Sequence, residues 1–171
     1  MRWGLQLARR VLETDSIGRM KIVDYETRYQ SEFKRLNAEW IETHWQLEAA
    51  DHQALDDPQK HIIEPGGHIF LALDDPEVVG TCALIRLTDI TFELAKMAVD
   101  PSARGKGIGS ALAAAVIEKA RSLGAQELYL ESNTILEPAI NLYRKLGFEE
   151  FVGEPSPYER CNIQMMLDLR M

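Results

Sequence analysis

The stretch Pro101 to Leu112, P-S-A-R-G-K-G-I-G-S-A-L, restricts this chain more than any other. Gly105, Gly107 and Gly109 alternate beside the cations Arg104 and Lys106 and run straight into apolar positions at helical spacing: Ile108, Leu112, Ala115, Val116 and Leu123, with Gly124 as the C-terminal stop. Glycine adopts backbone angles that other residues resist, so successive N–H groups can turn toward one point, and that point is the positive end of the helix. An anion of the size of a diphosphate suits such a place. A P-loop needs Lys followed by Ser or Thr, whereas Lys106 is followed by Gly107. A dinucleotide fingerprint needs a third glycine where Ser110 stands, in a unit of parallel strands. Both fit badly, so the turn is an anion cradle of another kind.

With 171 residues the chain has material for one domain, and 46% apolar and 27% charged residues give the profile of a globular protein. The formal charge of −8 argues against gripping nucleic acid and favours a cationic partner such as an amine. No apolar run reaches the roughly 18 residues of a membrane span. Cys82 and Cys161 fall in β-type stretches without zinc or redox spacing, which predicts core thiols in a reducing compartment. His44, His52, His61 and His68 show no metal-ligand spacing, and no metal is expected. Residues 1–19 lack a secretory cleavage pattern and read as a dispensable extension before Met20, with the domain at 20–171.

Periodicity predicts a strand at Met20 to Asp24 and a helix within Arg28 to Trp45, carried by Tyr29, Phe33, Leu36, Trp40 and Ile41. The acidic stretch Glu48 to His61 gives one or two short helices, with Asp57 capping a turn that Pro58 enters, and it can wall a pocket. Strands follow at His68 to Leu73, Val78 to Leu87 and Thr91 to Val99, then the glycine turn and its helix. After these come a strand at Glu127 to Ser132, a helix at Glu137 to Lys145 ended by Gly147, and strands at Glu149 to Val152 and Cys161 to Leu167. In the third of the consecutive strands, Phe92 and Leu94 occupy even positions and Met97 and Val99 odd ones, so the two pairs cannot share a face of a regular strand. One extra residue near Ala95 or Lys96 reconciles them, and β-bulges of this kind occur beside active sites; a regular strand buried on both faces is the alternative.

The run Arg104 to Gly109 resembles the Arg/Gln-x-x-Gly-x-Gly/Ala signature of the GNAT superfamily of acyl-CoA-dependent N-acetyltransferases. The later run Leu130 to Phe148, L-E-S-N-T-I-L-E-P-A-I-N-L-Y-R-K-L-G-F, is similar to the family's Asn…Ala-x-x-Leu-Tyr-x-x-x-Gly-Phe stretch. The resemblance is clear from Phe92 to Phe148. It implies an α+β fold with a central mixed, mostly antiparallel twisted sheet of six to seven strands, flanked by about four helices and splayed at the acetyl-CoA site. It further implies acetyl-CoA as acetyl donor, its pyrophosphate on Arg104, Gly105, Lys106, Gly107, Ile108, Gly109 and Ser110, and its pantetheine arm along Met97, Ala98 and Val99. Asn133 and Asn141 become candidate cofactor contacts.

Acetyl transfer requires a neutral amine, a polarised carbonyl and a stabilised thiolate. Glu93, on the strand where the family often keeps a glutamate, is the candidate base, with Glu131 and Glu48 as alternates. Tyr143 matches the family tyrosine whose hydroxyl reaches the cofactor sulfur, and a phenol near pKa 10 is matched to a thiolate. A bulge N–H at Met97 or Ala98 meets the oxyanion. The expected activity is N-acetylation of a small amine or amino acid in the cytoplasm, by direct attack in a ternary complex, by a monomer or homodimer with no nucleic-acid or membrane partner. A protein lysine or N-terminal acetyltransferase and a non-catalytic acyl-CoA sensor are the alternatives.

Overall fold

Residues 20–170 are described in the computed structural model, and the expectation for residues 1–19 lies outside them. Strands β1 (Met20–Asp24), β2 (His68–Asp74), β3 (Glu77–Arg86), β4 (Thr91–Val99), β5 (Glu127–Ser132), β6 (Glu149–Phe151) and β7 (Ile163–Asp168) form a seven-stranded sheet in the order β1-β2-β3-β4-β5-β7-β6. Only β4 and β5 pair in parallel among the described strands. The sheet is therefore mixed and mostly antiparallel, as expected. Its helices are α1 (Gln30–Glu42), α2 (Ala49–Asp56), α3 (Ile108–Ser122) and α4 (Glu137–Lys145), supplemented by 3-10 turns at Thr27–Tyr29 and Pro101–Ala103 and a π-helical turn at Gln59–Ile63. No described helix is long and apolar enough to cross a membrane.

Two apolar layers follow from strand alternation. Phe33 and Leu36 of α1 and Leu55 of α2 pack with Ile69, Leu71 and Ala83 on one face of the sheet. Ile108, Leu112 and Val116 of α3 and Ile140 and Tyr143 of α4 pack with Leu84, Phe92, Leu94 and Leu128 on the other. Strands covered on both sides need apolar residues at successive positions, which is why Val78 to Leu84 is buried almost without interruption.

Three details depart from the sequence reading. Leu123 is 44% exposed rather than part of the α3 stripe, because α3 ends at Ser122 and Leu123 leaves the helical path before Gly124 turns left-handed at φ +81°. Cys161 precedes β7 instead of opening it; the chain there is held by Asn162, whose side chain accepts from the Thr134 N–H at 2.8 Å. Asp57 does cap, its Oδ1 accepting from the Lys60 N–H at 3.1 Å, but the turn it starts is π-helical.

The register of β3 against β4 contains the bulge that parity demanded. Ala83 faces Ala95 and Thr81 faces Ala98, so two steps on β3 oppose three on β4. Lys96 takes φ +50°, a left-handed conformation rare for a side chain of this size. Beyond it Met97 and Val99 rejoin Phe92 and Leu94 on the α3 face, while Ala98 packs on the α1 face. On its other edge β4 pairs with β5 only from Thr91 to Glu93. From Leu94 to Val99 that edge has no strand beside it among the described residues, and the sheet opens into a cleft.

Candidate active site

The bulged strand runs from this cleft directly into the glycine turn. Gly105 and Gly107 stand at φ +76° and +77°, and a Cβ added at either would meet nothing within 4 Å. Packing therefore does not require glycine there; the left-handed backbone does. From Gly105 to Ser110 no backbone N–H donates to an acceptor among the described residues, and the first satisfied amide of α3 is Ala111, bonded to the Gly107 carbonyl at 3.0 Å. Gly107 supplies no capping side chain, so the positive end of a 15-residue helix is left bare. Arg104 folds back, its Nε donating to the Val99 carbonyl at 3.3 Å, and Lys106 is exposed beside the turn. The arrangement can bind an anion, with charge supplied at the rim and directed N–H groups at the centre.

On the α1 side of the same strand lies a cavity of about 180 Å³. Its walls come from α1 (Asn37, Trp40, Ile41), from β4 (Glu93, Ala95, Lys96, Met97), from the end of β5 (Glu131, Ser132, Asn133) and from the loop before β7 (Tyr158, Arg160). The Glu93 carboxylate accepts no hydrogen bond among the described residues. Burial, and then the negative charge of Glu131, push it up to about 7, against only partial relief from Lys96. Glu131 differs: the Tyr129 hydroxyl donates to one of its oxygens and the Ser156 hydroxyl to the other. Of the two facing carboxylates, one is therefore free to exchange a proton near neutral pH and the other is tethered.

A buried ionic cluster forms the far wall. Asp51 of α2 is fully buried, and its Oδ1 accepts from the Lys96 ammonium and from Arg160 Nη2, both at 2.7 Å. Its Oδ2 accepts from Arg160 Nη1 at 2.7 Å. Lys96 also donates to the Tyr158 hydroxyl at 3.0 Å, and both cations lie over the Tyr158 ring, at 4.7 and 4.4 Å from its centre. Burial would raise the Asp51 carboxyl, but hydrogen bonds from Arg160 and then the charge of Lys96 outweigh it and hold the carboxyl at about 2.

On the opposite face of the sheet, Tyr143 of α4 is buried, edge-on to Phe148 with centroids 5.8 Å apart. Burial, and then the neighbouring Cys82, push its phenol above the usual range, and its hydroxyl has no hydrogen-bond partner among the described residues. The Cys82 thiol is itself raised by burial and donates to the Ala95 backbone carbonyl, 3.7 Å away, at the bulge.

The residues picked from sequence thus divide. Met97, Ala98 and Val99 lie on the stretch of β4 that leads toward the turn Arg104–Ser110, with the Ala98 side chain buried on the α1 face, and Glu93 lines the cavity. Asn133 is occupied structurally: its Oδ1 accepts from the Ile135 N–H at 3.0 Å and its Nδ2 donates to the Arg160 carbonyl at 2.8 Å. Asn141 is exposed on α4 in a surface depression with Thr134, Glu137 and Arg144. Glu48 is tied to the Glu159 N–H at 2.9 Å and to Arg160 at 2.8 Å, which occupies both its oxygens. Among the described residues no group of three or more side chains could hold a metal. Sequence reasoning missed Asp51, Tyr158 and Arg160. A spacing signal existed only for Asp51, which with Glu48 forms a capping box at the start of α2.

A sequence model of the Acetyltransferase (GNAT) family matches residues 27–148. The N-acetyltransferase YjgM of Escherichia coli is 35% identical over 121 residues, covering 67% of this chain and 72% of the relative. The N-acetylaspartate synthetase of Danio rerio is 37% identical over 114 residues, 66% of this chain but only 40% of that protein. Among solved structures, an acetyltransferase of the GNAT family from Staphylococcus aureus superposes with a TM-score of 0.80 at 24% identity, covering 88% of this chain and 99% of the other. The yncA structure from Salmonella typhimurium, determined with its cofactor acetyl-CoA, gives 0.69 at 18% identity, covering 88% and 94%.

Removing the charge at Asp51 leaves the buried Lys96 without its counterion and Arg160 with Glu48 alone. Asp51→Asn is expected to lower stability at pH 7 by about 3 kcal/mol or more in urea denaturation. Because the folded carboxyl is held below the ordinary carboxylate range, at about 2, its contribution is present above that range and is lost as pH falls through about 2. The gap between variant and wild type should therefore narrow between pH 4 and pH 2. Equal stability at pH 7 would show that the cluster is not a source of folding energy.

Proposed function

The chain belongs to the acetyltransferase (GNAT) family and is an N-acetyltransferase, and from that premise we propose that it moves the acetyl group of acetyl-CoA to the primary amine of a small molecule or amino acid, by direct attack in a ternary complex. The observation that carries this reading is that one bulged strand separates a bare anion cradle from a cavity walled by a carboxyl of raised pKa. Acetyl-CoA supplies the activated thioester. The N–H groups from Gly105 to Ser110, with Arg104 and Lys106, hold its pyrophosphate, and the open edge of β4 at Met97, Ala98 and Val99 holds its pantetheine arm. Asn141, exposed on α4, remains available to the cofactor; Asn133 acts by fixing the loop that carries Arg160.

Glu93 takes the proton that an alkylammonium must lose before it attacks. A base near 7 is matched to that task at neutral pH, being ionised in useful fraction yet basic enough to accept. A bulge N–H at Met97 or Ala98 stabilises the charge that develops on the carbonyl oxygen. The Tyr143 hydroxyl donates to the departing sulfur. With its pKa raised, the phenol keeps its proton at neutral pH, so it acts as a hydrogen-bond donor to the thiolate rather than as a ready source of a free proton.

The small, many-sided cavity supports a small acceptor over a protein chain, and the presence of both Glu93 and Tyr143 supports catalysis over sensing. The free thiols Cys82 and Cys161 suit a reducing cytoplasm, where the protein would act as a monomer or homodimer.

The pH profile of kcat/KM should rise through about pH 7 as Glu93 ionises, and Glu93→Gln should lower the rate by roughly 10²- to 10⁴-fold and abolish that limb. A Gln variant that keeps both rate and limb assigns the base elsewhere. Tyr143→Phe retains the ring but not the donor. Its kcat is expected to fall by roughly 10²-fold or more while calorimetric affinity for acetyl-CoA stays near wild type; unchanged kcat would make Tyr143 a packing residue.

A further inference from the structure

The wall formed by Arg160 is only half used. Its terminal Nη1 and Nη2 grip the two oxygens of Asp51, and Nη1 also reaches Glu48 at 2.8 Å, while its face lies on the Tyr158 ring. That accounts for three of the five guanidinium donors. Nε and the second proton of Nη2 form the side fork, and among the described residues neither donates to any acceptor. These donors are not sealed in the core. Among the described residues the Tyr25 hydroxyl is the one fully buried side-chain N or O without a partner, so the Arg160 Nε is reachable from solvent although the side chain is only 13% exposed. Lys96 likewise uses two of its three N–H donors, on Asp51 and Tyr158, at 5% exposure.

Both residues line the cavity that Glu93 of β4 and Glu131 of β5 also line. Its charges are therefore sorted. Asp51 and Glu48, which are not among the lining residues, compensate Arg160 and Lys96 and leave unpaired donors on two residues of the cavity wall, while the two glutamates present acceptors and negative charge. A simple cationic amine would use the glutamates and leave the fork idle, with nearly desolvated donors unpaired. A planar anion with two oxygens fits the side fork of a guanidinium that is already immobilised by Asp51 and Tyr158, so little side-chain entropy remains to be lost on binding.

We propose that Arg160, assisted by Lys96, is the acceptor-carboxylate site of this enzyme, so that the amine acetylated is one that carries a carboxylate, an amino acid whose amino group faces Glu93 and Glu131 while its carboxylate meets the Arg160 side fork. The inference rests on the acetyltransferase reading above and chooses among its acceptors. Specificity of this kind is strong when a site holds polar groups that only the right substrate satisfies. The cavity of about 180 Å³ limits the acceptor to a small amino acid or to the end of a longer one.

The test offers the common amino acids beside their carboxamides at saturating acetyl-CoA, with release of free thiol as the readout. The carboxamide has the less basic amine and hence the larger neutral fraction at pH 7, so a preference for the acid cannot arise from amine basicity. For the best amino acid, kcat/KM is expected to exceed that of its amide by roughly 10- to 100-fold, the value of a charge-assisted pair. In Arg160→Lys, which keeps a charge for Asp51 but has no side fork, that ratio should fall toward one. Acids and amides turned over equally by the wild type would overturn the carboxylate site and leave acetyl transfer standing. An acid preference retained in full by a folded Arg160→Lys would overturn the assignment to Arg160. If the variant does not fold in a thermal melt, the wild-type ratio decides alone. Absence of turnover with every amine, although acetyl-CoA binds, would remove the acetyltransferase reading and this inference with it.

Discussion

One extra residue in β4 is the constraint on which the site depends. Without it, Met97 and Val99 would face α1 and Ala98 would face α3, reversing the contacts of the strand just before the glycine turn. With it, the strand keeps both apolar layers and changes its hydrogen-bonding frame where β5 diverges. The local cost is Lys96 at φ +50°, on the order of 1 to 3 kcal/mol for a strained non-glycine backbone. The Lys96 ammonium bonds to Asp51 and Tyr158 are charge-assisted, each about 1.5 to 3 kcal/mol, enough together to offset that strain. The same lysine therefore distorts the strand and, through its side chain, holds the distortion in place.

The two sides of the bulge solve different problems. Toward the glycine turn, the exposed groups are backbone: bare N–H groups at a helix start, and a strand edge from Leu94 to Val99 with nothing paired on it among the described residues. Such a surface suits a ligand whose shape does not vary. Toward the cavity, the lining is made of side chains drawn from α1, β3, β4, β5 and the loop before β7. A cavity built from distant pieces can be altered without touching the glycine turn. Burial, and then the Glu131 charge, raise Glu93, whereas at Asp51 three hydrogen bonds from cations overturn the effect of burial and lower the carboxyl.

What could be read from sequence is what is local along the chain. Alternation across Phe92, Leu94, Met97 and Val99 exposed the bulge because side-chain parity is fixed by the strand itself. Two of the three glycines marked the turn because left-handed backbone is a property of single residues, as φ at Gly105 and Gly107 bears out, whereas Gly109 lies inside α3. The cavity wall was not legible. Arg160 meets Asp51 across 109 positions of chain, and nothing near either residue marks the partner. Asn133 looked like a ligand contact because its type and motif position allow one, whereas tertiary packing gives both ends of its amide to the backbone. Leu123 matched the α3 stripe by spacing alone, which carries no information about the residue at which the helix stops.

Amide hydrogen exchange, measured with and without acetyl-CoA, tests the central claim that the bare turn and the open edge of β4 together hold the donor. The account predicts slowed exchange concentrated at Gly105 to Ser110 and at the Met97 to Val99 segment, with β1, β2 and the outer strand β6 little changed. Binding that leaves the turn and the β4 edge unprotected, or that protects another face of the sheet instead, would contradict it.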